Sequence, residues 1–218
     1  MPLQLQEADF SDGEAIANIC IRAFFDDPFQ KSLFPGIPFD EQVAGVFSRW
    51  PNNYGDMSAR YKIVVDTDSS KVVSYSKWAF VNTDAGAVVK KPTGFPENFK
   101  VEPASTPEGL NKSFATNFTE RVHEIRDRVL GDRPQLQLEL LGTLPSYERQ
   151  GAASLHLAWA TQLADEKGLA CWVQASPMSV HLYKKFGFDI QETVVVRLDE
   201  SCGGGTQTSS CMMREPKK

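Results

Sequence analysis

One alternation limits the folds open to this chain more than any other feature. The apolar run "LQLELLGT" (136–143) leads into "LPSYERQGAASLHLAWATQLADEKG" (144–168), and a second apolar run, "LACWVQA" (169–175), follows at once. The runs have strand length and the segment between them has helix length, so the stretch reads as strand, loop, helix, strand. A short helix, "SVHLYKKF", comes next and stops at Gly187, and "DIQETVVVRL" and "CMMREP" read as closing strands. This alternation implies an α/β fold with a mixed sheet. The long helix is expected to begin near Gly151. No Ser, Thr, Asp or Asn stands immediately ahead of it, only Gln150, Gly151, Ala152 and Ala153.

A helix without a side-chain cap leaves the N–H groups of its first turn pointing outward, and the helix dipole adds positive potential there. An anion can take the place of the cap, and small residues let the backbone approach it closely. The loop therefore reads as a phosphate cradle, although an ordinary strand-to-helix turn would also use a glycine. Two nucleotide motifs do not fit. The Walker pattern ends in Gly-Lys-Ser/Thr, and "QGAAS" has no lysine. The Rossmann pattern needs three glycines at set spacing, and this loop has one.

The first half is less regular. Leu3 and Leu5 alternate with Gln4 and Gln6 as in a short strand. Ser11 and Glu14 have the spacing of a capping box, and the helix they open should stop before Pro28. "DDPFQKSLFPGIP" reads as a turn-rich aromatic segment, and a second helix is expected over 40–50. "YKIVVDTDSSKVVSYSKWAFV" reads as two strands, about 61–65 and 72–81, joined by a polar turn. Residues 82–114 hold four prolines and three glycines with little periodicity, which suits a surface loop or a substrate-facing flap. Helical periodicity returns in "NFTERVHEIRDRVLG" and ends at Gly131. No linker or internal repeat is visible, so a single domain over 1–218 is expected.

Composition narrows the function classes. The net charge of -5 comes with no long basic run, so a nucleic-acid role lacks its electrostatic footprint. No window approaches a membrane span and the N-terminus does not read as a signal peptide, which points to a soluble, cytoplasmic protein. The three histidines have no metal-ligand spacing with the four cysteines, so no metal is expected. Cys20 and Cys171 read as buried free thiols, while Cys202 and Cys211 could face each other across a hairpin.

Residues 144–188 resemble the acyl-CoA-binding half of the GNAT superfamily of N-acetyltransferases. That superfamily carries a Gln/Arg-x-x-Gly-x-Gly/Ala loop between its fourth strand and third main helix, matched here by Glu148, Arg149, Gln150, Gly151, Ala152 and Ala153. Its Leu-Tyr-x-x-x-Gly-Phe signature is matched in "HLYKKFGF". "IRAFFDDPFQKSLFPG" and "VVSYSKWAF" resemble a branch common among fungal members, and 82–114 lies outside the resemblance. Two positions depart from the pattern: Glu148 replaces the usual Gln or Arg, and Ala153 replaces the more usual Gly.

The resemblance implies a GNAT-like mixed, mostly antiparallel sheet with splayed central strands and flanking helices. It implies acetyl-CoA as co-substrate and a small-molecule amine as acceptor, with a protein N-terminal or lysine acetyltransferase and a non-catalytic acyl-CoA-binding module as the other readings. Leu141, Gly142 and Thr143 on the fourth strand would lie along pantetheine, and the amides from Arg149 to Ser154 would hold the diphosphate. Ser176 falls where many members have a pantetheine-contacting Asn, and it also reads as a helix N-cap. Tyr183 would protonate the leaving thiolate, and a backbone N–H of the fourth strand would serve the oxyanion. Gln137 and Glu139 share one face of that strand, opposite Leu136, Leu138 and Leu140, on strand alternation. Glu139 is the candidate base, with a salt bridge to a neighbouring strand as its competing role. Residues 24–50 and 82–114 are the expected acceptor pocket.

Overall fold

The computed structural model describes residues 2–89, 94–96, 99, 106–200 and 203–217. Among the described residues seven strands form one sheet: β1 (Leu3–Glu7), β2 (Ala59–Asp66), β3 (Lys71–Val81), β4 (Gln135–Thr143), β5 (Ala170–Ala175), β6 (Asp189–Arg197) and β7 (Thr206–Arg214). Their spatial order is β1-β2-β3-β4-β5-β7-β6. Every neighbouring pair is antiparallel except β4 and β5. That exception follows from the connection, since the helix between the two runs returns the chain to the end of the sheet where β4 began. This helix, α7 (Ala152–Lys167), covers one face, and α1 (Gly13–Phe24) and α6 (Lys112–Leu130) cover the other.

Three cores result. The α7 face buries Trp78, Leu136, Leu138, Leu157 and Val173. The α1 side buries Ile16, Ile19, Trp50, Tyr54 and Tyr61. The α6 side buries Val122, Ile125, Trp172 and Val196. On β4 and β5, residues that alternate along the strand therefore reach opposite cores.

Several expectations from sequence shift. The N-terminal capping box is Asp9 with Asp12, around a short 3-10 turn at Phe10–Asp12, and not Ser11 with Glu14. The Asp9 carboxylate takes the Ser11 amide at 3.0 Å, and Asp serves at an N-cap as well as Ser would. The aromatic segment is not all turn: Asp27 caps a helix, α2 (Pro28–Leu33), with proline at the first position, where its missing N–H costs nothing. The next helix divides at Arg49 into α3 (Phe39–Ser48) and α4 (Trp50–Gly55). Residues 82–114 include a short helix, α5 (Ala85–Val88), and α6 starts at Lys112, earlier than its periodicity suggested, because Asn111 caps it. A disulfide from Cys202 falls outside the described residues.

Candidate functional site

The ladder between β4 and β5 stops at Leu138 opposite Val173, yet β4 runs on to Thr143 and β5 to Ala175. Past that point the strands splay. Two local features prepare β4 for this. A bulge sets both Leu140 and, beyond Glu139, Leu138 against successive residues Lys77 and Trp78 of β3. A bulge inserts one residue and reverses the facing beyond it. Leu140 therefore joins the face of Gln137, contrary to simple alternation, and Leu141 and Thr143 turn to the α7 face. The second feature is the pairing to β3. The Leu144 amide donates to the Val73 carbonyl at 2.9 Å, and the Gly142 carbonyl accepts the Ser74 hydroxyl at 2.7 Å. Backbone groups alternate along a strand, so those of Leu141 and Thr143 point to the open β5 side. Gly142 is buried, and a Cβ there would stand 2.9 Å from Tyr75 Cε1.

The loop ahead of α7 has the bare start that its sequence suggested. Gly151 is the N-cap with φ 95°, and no side chain caps the helix. Arg149 also has a positive φ, 60°. The amides of residues 149–154 donate to no group among the described residues. A Cβ on Gly151 would meet nothing within 4 Å, so the glycine answers the positive φ and not crowding. Loop side chains bond elsewhere: Gln150 Nε2 donates to the Ser146 carbonyl at 2.8 Å, and the Tyr147 hydroxyl donates to Asp66 at 2.9 Å. Glu148, Arg149 and Gln150 are exposed, Ala152 is buried, and Ala153 and Ser154 are half-buried.

A cavity of about 610 Å³ fills the splay and is lined from both faces of the sheet. Leu141, Thr143, Ala153, Ser176, Leu182 and Tyr183 line its α7 side. Asp27, Phe29 and Leu33 of α2 with its cap, Phe118 and Val122 of α6, and Gln207–Ser209 of β7 line the other. Its described lining includes two carboxylates, Asp27 and Glu139, and no Lys, Arg or His. The described part of 82–114 takes no share in it: Phe95 packs on Phe10 and Tyr54, and Val88 joins the α7 core. Phe114 reaches it only indirectly, stacked 5.2 Å from Phe29. The side of the pocket away from α7 thus comes largely from α2, α6 and β7, and the part played by α6 and β7 had no signal beyond ordinary core periodicity.

Tyr183 sits in α8 (Val180–Lys185), 5% exposed, with its ring edge-on to Phe188. Burial pushes its phenol well above the usual range, so it stays protonated at neutral pH. Ser179, not Ser176, occupies the N-cap of α8; the Ser176 carbonyl accepts the Ser179 hydroxyl at 3.0 Å and their hydroxyls lie 3.1 Å apart. Glu139 stands at the bulge with Lys77 Nζ 2.7 Å from its Oε2. Gln137 accepts from Arg126 at 3.2 Å. Trp172 lines the cavity 1% exposed, and its indole N–H has no partner among the described residues.

A splayed parallel pair with an uncapped helix beside it is the setting of the stretch that resembles known proteins. Residues 119–188 match the model of the Acetyltransferase (GNAT) family, a span from α6 to the turn after α8. Over that span the chain is similar to the GNAT acetyltransferases. It is 24% identical over 225 residues to an uncharacterized N-acetyltransferase of Schizosaccharomyces pombe, covering 100% of this chain and 94% of that one. The fold is also that of the C-terminal condensation domain of Ebony in complex with beta-alanyl-dopamine, at TM-score 0.70 and 14% identity over 99% of each chain. A mosquito arylalkylamine N-acetyltransferase, like 5b, matches at TM-score 0.63 and 14% identity, over 98% of this chain and 100% of that one.

Proposed function

We propose that this protein moves the acetyl group of acetyl-CoA to the primary amine of a small molecule with an apolar, aromatic body. The single observation that carries this reading is the cavity through the splay. Its acceptor side is built of Phe29, Phe118, Val122 and Trp172, with carboxylates and no cation in the described lining. Such a surface favours an ammonium on an aromatic frame over a peptide chain, whose backbone would need many polar partners. The beta-alanyl-dopamine bound to the Ebony domain and the arylalkylamine in the mosquito enzyme's name both have an aromatic body, which supports the choice.

Each group has a role in that reading. Open amides of Arg149 to Ser154 hold the diphosphate at the positive end of α7, with Glu148 exposed and turned to solvent. Backbone groups of Leu141 and Thr143 meet the pantetheine amides along the unpaired edge of β4, and Ser176 offers a hydroxyl from the β5 side. Gly142 contributes by lacking a side chain, which lets α1 and Tyr75 close behind the strand. Tyr183 gives its proton to the departing thiolate, a role suited to a phenol that burial keeps protonated. Glu139 receives the proton of the acceptor ammonium through water, and Lys77 holds its carboxylate in place. The unpartnered Trp172 N–H offers a donor to a ring hydroxyl.

The test is release of free CoA thiol from acetyl-CoA with phenethylamine, tyramine, putrescine and short peptides with free N-termini. Turnover highest with the arylalkylamines is the expected result. Turnover only with peptides would overturn the acceptor class. Acetyl-CoA binding by calorimetry without thiol release from any amine would make this a binding module.

A further inference from the structure

The α7 face holds one buried polar cluster that the chemistry above does not use. His156, on the second turn of α7, is 0% exposed. Its Nδ1 lies 2.8 Å from the Ser76 hydroxyl and its Nε2 3.1 Å from the Ser74 hydroxyl. Trp78 Nε1 donates to Ser76 at 2.9 Å, and Ser74 donates to the Gly142 carbonyl at 2.7 Å, with the Thr143 hydroxyl 3.0 Å from Ser74. Ser74, Ser76 and Trp78 share a face because strand alternation has period two.

The proton positions follow from the ends of this chain. The Gly142 carbonyl can only accept, so the single Ser74 proton goes there, Ser74 accepts from His156 Nε2, and Nδ1 is left to accept from Ser76. The imidazole therefore carries its proton on Nε2 and donates to Ser74. Ser74 passes its proton to the Gly142 carbonyl and can accept from Thr143. Each group is satisfied by a neutral ring. Lys62 of β2 is the charged neighbour that acts on it, with Glu7 of β1 paired to that lysine, and burial first and Lys62 second hold the imidazole down to about 3.

We propose that His156 is a positioning residue for the coenzyme: it ties α7, whose N-terminus presents the loop amides, to the Gly142–Thr143 end of β4, which presents the unpaired edge. This rests on the reading of that loop and edge as the acyl-CoA site. One side chain then sets the distance between the diphosphate and pantetheine anchors. Losing that tie frees the two anchors to shift apart, which weakens the hold on a ligand that must bridge both. Gln can accept from Ser76 and donate to Ser74; Leu can do neither.

The experiment compares wild type, His156→Gln, His156→Leu and Ser76→Ala by calorimetry with coenzyme A, and by kcat and acetyl-CoA KM. His156→Leu is expected to weaken coenzyme A about tenfold or more, with kcat at saturating acetyl-CoA within about threefold. His156→Gln should recover most of that loss, and the wild-type affinity should be flat from pH 6 to 9. If the Leu variant does not fold, Ser76→Ala, which removes the donor to Nδ1, should weaken coenzyme A several-fold. Lower Tm with unchanged affinity in the variants would overturn the proposal and leave His156 a core residue. Wild type that binds no coenzyme A would instead overturn the coenzyme reading, and the positioning role with it.

Discussion

The two sides of the splay are built differently. The α7 side is made largely of backbone: an open strand edge, a run of loop amides and one buried relay behind them. The acceptor side is made of side chains from α2, α6 and β7, segments far apart in sequence. Backbone recognition suits a ligand common to a family, because amides are indifferent to the side chains around them. Side-chain recognition suits a ligand that changes from one relative to the next. Changes on the first side should therefore alter coenzyme binding or chemistry for every acceptor, and changes on the second should alter the ranking of acceptors.

The largest effect is expected at Tyr183, where the two sides meet. Tyr183→Phe keeps the ring packing on Phe188 and removes the hydroxyl, so single-turnover rates should fall by roughly 10²–10⁴-fold for all amines. Acetyl-CoA affinity should hold. A Phe variant at wild-type rate would leave solvent as the proton source.

Phe29→Ala probes the other side. Phe29 lines the pocket and meets Phe118 edge-on, with ring centroids 4.7 Å apart. Loss of a buried aromatic, about 1.5–3 kcal/mol, predicts a fall in kcat/KM of roughly 10- to 100-fold for arylalkylamines. Putrescine should lose much less, and acetyl-CoA affinity should not move. Equal losses for both amines would break the division between the two sides.

Gly151→Ala tests the loop with a smaller change. Its Cβ enters open space, but φ 95° strains any L-residue, at about 1–2 kcal/mol. Coenzyme A affinity should fall roughly five- to thirtyfold as the loop relaxes, with acceptor ranking unchanged. Unaltered affinity would remove the loop from the coenzyme site. Gly151→Glu adds a carboxylate beside the diphosphate and should abolish binding measured by calorimetry.

The smallest effect concerns stability against pH. His156 titrates near 3 when folded and near 6.5 when unfolded. Below pH 6.5 the unfolded chain takes a proton that the folded chain refuses, so stability is complete above 6.5 and declines as pH falls. Between pH 6.5 and 5 the wild-type Tm should decrease, and His156→Gln should flatten that slope. Below about 4 the carboxyls of Asp165 and Glu215, held down by Arg214 and Arg133, add their own loss. A wild-type Tm that is level from pH 6.5 to 5 would contradict the neutral buried ring.

Legibility followed the same division. The strand–loop–helix unit, the bare start at Gly151 and the short helix with Tyr183 were visible because local spacing and turn chemistry specify them. The antiparallel surroundings and the splay came through resemblance and not through periodicity. The Leu140 facing was misread because a bulge depends on the partner strand, and β4 alone reads as unbroken alternation. The described part of 82–114 packs away from the cavity, and its irregularity gave no hint of that, because proline and glycine mark irregular chain without saying where it packs. His156 drew no role from the sequence beyond its lack of metal-ligand spacing, since nothing in its own helix shows that Ser74 and Ser76 wait opposite.

By itself, then, the order of residues determined a helix that starts without a cap after a strand, and hence a place for an anion, because caps and helix dipoles are properties of neighbouring residues. Tertiary structure decided the rest: that β4 and β5 part after Leu138, that Asp27, Phe29 and Phe118 gather beyond the gap, and that an imidazole from α7 meets two hydroxyls of β3. Each joins residues distant in the chain, and only the closing of the sheet and the packing of its helices bring them within bonding distance.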